Sequence, residues 1–133
     1  MSAYTTGKML RVKFQLDSLA EVTSALIEAS IKHAHGIVIN RIREEYLDAP
    51  PEPVIVAETL LAGAALLRSL SARLALDRRE ARLAGHQLET GKRFPAMLAV
   101  AEAAEAEALE LLKPWLRHGA KAEAPALLTT GVK

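Results

Sequence analysis

The sequence has no cysteine, five aromatic side chains and almost no net charge, with 17 Lys+Arg against 16 Asp+Glu. Lack of cysteine excludes disulfide frameworks, thiolate metal sites and cysteine nucleophiles. A charge of +1 combined with 50% apolar residues excludes disorder over most of the chain. β-Branched aliphatics are also scarce: Val and Ile supply 13 residues, whereas Ala (25) and Leu (21) supply 46 of 133. Ala and Leu are the strongest helix formers, so a mainly α chain is expected. No long apolar run is present. Val54 to Leu67 is the most apolar stretch, but it spans 14 residues and contains Glu58. A bilayer crossing needs about 20 apolar residues, so this stretch reads as a buried helix. Met1 to Lys13 has no continuous apolar segment or small-residue cleavage site of the secretory kind. The expectation is a cytoplasmic protein with no membrane contact.

A length of 133 residues suits a single domain, residues 1–133, able to bury roughly two-thirds of its unfolded surface. Residues 1–9 and 119–133 are small and polar or Ala- and Thr-rich, and read as loose tails. Leu10, Val12, Phe14 and Leu16 alternate with Arg11, Lys13 and Gln15, a period of two that signals a short strand over 10–16. The same residues could instead begin a helix, or pair with 36–40 in a βαβ unit. Ser18 and Glu21 fit a capping box for a following helix. Its apolar face would be Leu19, Val22, Leu26, Ile27, Ile31, Ala34, Ile37 and Val38. That helix runs on to Leu47 or breaks near Gly36.

The proline cluster at 50–53 ends whatever precedes it. A second long helix is predicted from about Val54 to Ala84, central in its first half and exposed in its Arg-rich second half. Gly85 to Arg93 is the connection. A third helix follows from about Pro95 towards Leu116. Met97, Ala101, Ala104, Ala108, Leu111 and Trp115 repeat at heptad spacing along it, small in the middle, which lets another helix approach closely. The expected fold is therefore a bundle of three to four helices with, at most, one short N-terminal strand at 10–16. Arg68 to Arg93 is basic, while Glu102, Glu105, Glu107 and Glu110 follow with no base between them. These charges could pair within the chain or between copies, or simply form two solvated faces.

Chemistry-bearing patterns are sparse. His33 and His35 are two residues apart, so on a helix their rings point apart and cannot chelate one metal. His86 and His118 fall near predicted helix ends, where an imidazole meets the negative end of the dipole. Gly7-Lys8 and Gly91-Lys92 lack the remainder of a phosphate loop. Gly-x-Ser-x-Gly, His-Glu-x-x-His and paired Glu-x-x-His motifs are missing, so no catalytic residue, metal or cofactor is predicted.

Two functions from different classes fit these observations. The first is a non-enzymatic interaction or scaffold protein acting through apolar helix faces, with a homo-oligomer and a protein partner expected. Its interface would use Leu60, Leu67, Leu70 and Leu74 with Met97, Ala101, Ala104, Ala108, Leu111 and Trp115. The second rests on residues 10–47, where an alternating strand, a capped helix, a glycine turn and a second helix ending Ile42-Arg-Glu-Glu-Tyr46-Leu47 follow one another. This order resembles the ribbon-helix-helix DNA-binding family. The resemblance implies a dimer whose paired strands enter the major groove, with Arg11, Lys13 and Gln15 facing base edges. The turn sequence Lys-His-Ala-His-Gly departs from the family pattern.

Overall fold

The computed structural model describes residues 2–16, 22–83 and 93–117. Its elements are α1 (Gly7–Phe14), α2 (Ser24–Ile39), α3 (Glu52–Leu83) and α4 (Arg93–Leu112), with short 3-10 turns at Glu44–Tyr46 and Lys113–Trp115. The fold is a mainly α helical bundle, and no strand occurs among the described residues.

α3 is the central element, packed most extensively against α4, then α2, then α1. Its start follows from Pro51, whose carbonyl accepts from Val54 N and Ile55 N, and the all-round apolar sequence then dictates burial. Val54, Ala57, Leu60, Leu61, Ala62, Ala64, Leu66, Leu67, Leu70 and Leu74 all lie in the core. Glu52–Leu76 is long and apolar enough to cross a membrane by composition. Within this fold, 72% of its most apolar window is already buried. α4 returns along α3 and buries Met97, Ala101, Ala104, Ala108 and Leu112. The alanines keep the two backbones close, and Arg68 clamps the pair by a two-pronged bond to Glu105 (3.0 and 2.8 Å). That bond raises the Arg68 pKa further above its ordinary value.

Thr23 caps α2 by accepting from Leu26 N, and Ile27, Ile31, Ala34 and Val38 turn inward as their spacing requires. The helix passes straight through Gly36 and stops at Ile39; Glu44–Tyr46 is a separate turn. An antiparallel bridge, Ile42 with Leu116, then ties this region to the end of α4. Arg117 completes the junction by donating from its guanidinium to the Ile39 and Ile42 carbonyls, satisfying groups that a helix end leaves free. Tyr46 and Trp115 meet edge to face at 5.2 Å beside it.

Of the alternatives for residues 10–16 the helix is the one formed, and the strand is not. Thr6 accepts from Met9 N and opens a helix at Gly7. Leu10 and Phe14 are spaced four apart, so they satisfy the helical period as well as the alternating one. Leu10 is fully buried, while Val12, which a strand would have turned inward, is 69% exposed. The helix stops at Gln15, which adopts a left-handed conformation (φ 52°), and Leu16 N then donates to Arg11 O. Segments 10–14 and 36–39 are both helical, which removes the βαβ pairing as well. The Ser18–Glu21 capping box, the 84–92 connection, His86, His118 and the tail from 119 lie outside the described residues.

Candidate functional site

Three places concentrate polar or exposed apolar chemistry. The first is buried. Glu58 projects from the apolar half of α3 with no exposed surface. A carboxylate there must be fully hydrogen-bonded to be tolerated. His35 Nδ1 meets Glu58 Oε1 at 2.8 Å, and Tyr4 N and Thr5 N both donate to Oε2, at 2.7 and 2.9 Å. An ionised carboxylate only accepts, so in this contact His35 Nδ1 is the donor. The Tyr4 ring stands edge-on to the imidazole, 4.8 Å between centroids, and its hydroxyl donates to Leu47 O at 2.6 Å. Burial, reinforced by the charges of Glu58 and Asp48, pushes the Tyr4 phenol above its ordinary value of 10.0. Thr5 and Thr59 share a hydroxyl–hydroxyl bond of 2.6 Å, and Thr59 also donates to Ile55 O.

The result is a latch. Residues 4 and 5 belong to a segment that the sequence suggests is frayed, yet their backbone N–H groups are held by α3. His35 Nε2 is buried without a hydrogen-bond partner among the described residues. The arrangement ties residues 4 and 5 to α3.

The second place is a groove of about 360 Å³ between α1 and α3, lined by Lys8, Met9, Val12, Lys13, Val56 and Thr59. The third is a hollow of about 340 Å³ where α1, α3 and α4 meet. α3 supplies its floor with Leu60, α1 supplies Lys13 and Phe14, and α4 supplies Val100, Ala103 and Glu107. Phe14 reaches this position because Gly63 has no side chain: a Cβ there would run into the Phe14 ring.

The ten residues expected at an interface are placed within one chain. Leu60, Leu67, Leu70, Leu74, Met97, Ala101, Ala104 and Ala108 are buried in the core, and Leu111 and Trp115 are half-buried against it. The heptad seam is thus used by α3 and α4 of the same molecule. Arg11 and Lys13 lie on α1 and Gln15 forms its left-handed cap, so the three do not project from one face of a ribbon. His33 is exposed and His35 buried, as opposite-facing rings require. Among the described residues no three His, Asp or Glu side chains are grouped to hold a metal. No family model, curated protein or solved structure matches the chain.

Proposed function

We propose that this chain is a non-enzymatic helical interaction protein that self-associates through the α1–α3–α4 hollow. The observation that carries the reading is the charge pattern around that hollow. An isologous two-fold contact brings one patch against itself, so charges within the patch must be complementary across the axis. Here Lys13 comes from one wall and Glu107 from the other, around Phe14, Leu60, Val100 and Ala103. Lys13 and Glu107 are exposed, and Val100 is 48% exposed, an apolar side chain that a second copy would cover. Two copies related by a two-fold axis would place each Lys13 against the other copy's Glu107. The buried titratable side chains among the described residues are engaged in structure, Glu58 and His35 in the latch and Glu105 with Arg68, which supports a role in assembly.

The test is a charge swap read by light scattering. Lys13→Glu and Glu107→Lys are each expected to weaken association about tenfold by placing like charges across the axis. The double variant restores it. A monomeric parent at roughly 100 μM, well above a micromolar Kd, refutes the proposal, as does association indifferent to both single swaps.

A further inference from the structure

The groove between α1 and α3 differs from the self-complementary hollow in one decisive respect: its charged walls carry a single sign. On an α-helix, residues three and four apart are neighbours, so Lys8, Met9, Val12 and Lys13 form one continuous patch. The two apolar side chains sit between the two ammonium groups, whose Cα atoms are separated along the axis by about 7.5 Å. Met9 and Val12 are 41% and 69% exposed. Val56 and Thr59 of α3 face them across the groove. α1 contains Lys8, Arg11 and Lys13 and no acidic residue.

We infer that this groove is a docking site for a second protein, through an amphipathic segment whose apolar side chains are flanked by Asp or Glu. The groove does not pair with its own copy across a two-fold axis, because a patch positive at both ends repels itself. A bilayer is a poor match for a concave site between two helices. The floor is already rigid, since Thr59 is bonded to Thr5 and to its own helix, and α1 is fixed by Leu10, Phe14 and the Glu58 latch. A partner segment therefore has little ordering of the receptor to offset. Methionine on the wall adapts to side chains of different shape. The groove goes beyond self-association: it shares Lys13 with the hollow, and Lys8, Met9 and Val12 belong to the groove alone.

The experiment is panning of a random peptide library displayed on phage against the full chain, with a Val100→Arg variant panned in parallel. Enriched peptides should combine paired apolar residues with flanking acids. Their synthetic versions should bind about tenfold more weakly to Val12→Glu and to Lys8→Glu, both exposed positions that leave the core untouched. Val100→Arg should bind them like the parent, which separates failure of the groove from failure of the self-association. Duplex DNA and vesicles of phosphatidylcholine with phosphatidylserine are titrated alongside. Peptides without acids, or peptides indifferent to Val12→Glu, overturn the inference. So does an empty selection. Tighter, Lys8-dependent binding of either DNA or vesicles would overturn it in favour of that ligand.

Discussion

Replacing Glu58 by Leu tests the physical account of the latch most directly. The substitution keeps an apolar volume in α3 but removes the acceptor for three donors: Tyr4 N, Thr5 N and His35 Nδ1. An orphaned buried donor costs about 1–3 kcal/mol, and three donors lose their acceptor together. The upper bound is set by release of residues 2–6 into water, where both backbone groups recover partners. The expected loss in urea denaturation is therefore about 3–5 kcal/mol, a large part of the 5–15 kcal/mol typical of a domain. Hydrogen exchange supplies an independent reading. The Tyr4 and Thr5 amides should exchange about 10²–10⁴ times faster, by conversion at 1.36 kcal/mol per decade, while Leu66 in mid-α3 reports any global change. Glu58→Gln retains one acceptor oxygen and should lose about 1.5–3 kcal/mol, which keeps the test usable if the leucine variant does not fold. A Glu58→Leu protein within about 0.5 kcal/mol of the parent, with Tyr4 and Thr5 still protected, would refute the reasoning.

Two glycines on helices should respond with opposite signs. Gly63→Ala gains helix propensity but drives a Cβ into the Phe14 ring, for an expected net loss of about 1–3 kcal/mol. In a Phe14→Ala background the same change should become neutral or stabilising, and a double-mutant cycle with no coupling would show that the ring does not rest on Gly63. Gly36→Ala in α2 meets nothing within 4 Å, so it should stabilise by about 0.5–1 kcal/mol in the same denaturation assay. Tyr4 provides a pH signature. Its phenol is raised above 10.0 in the fold, so the folded state holds the proton more tightly than the unfolded state does. The associated stability is present below that value and lost as pH rises past it. Tyr4→Phe should flatten the alkaline fall of stability above about pH 10; an unchanged alkaline limb would show that the ring's burial is not felt.

The long elements were legible in the sequence because several signals agree there. Pro51 and Pro53 punctuate the start of α3, an uninterrupted apolar stretch specifies its burial, and the Met97–Ala101–Ala104–Ala108 spacing picks out the buried face of α4. Ile27, Ile31, Ala34 and Val38 do the same for α2. The N-terminal segment was ambiguous for a specific reason: Leu10 and Phe14 fit periods of two and of 3.6 equally, and only Val12 discriminates. The latch was missed although both partners carried a signal. Glu58 interrupts the most apolar run, where an acid must find a partner. His35 lies four residues after Ile31 and thus on the core face of α2. Pairing an acid and an imidazole that both point inward would have proposed the bond. Nothing local pointed to Tyr4 and Thr5, because the contact is with backbone N–H groups that every sequence possesses. Nor could the seam be assigned from spacing alone to one molecule or two, since close helix approach has the same requirements in both.

The placement of the latch also bears on the order of events during synthesis. Tyr4 and Thr5 leave the ribosome well before Glu58 and Gly63, the two residues that receive the N-terminal segment and the Phe14 ring. At about 5–20 residues per second the wait is roughly 3–12 s, before counting passage through the exit tunnel. An eight-residue helix has no stability of its own in water. α1 must therefore remain unstructured through that interval and condense onto α3 only afterwards. Met9, Leu10, Val12 and Phe14 are the apolar side chains of α1 that the nascent chain exposes meanwhile, and Lys8, Arg11 and Lys13 around them are the charges that keep such a segment in solution.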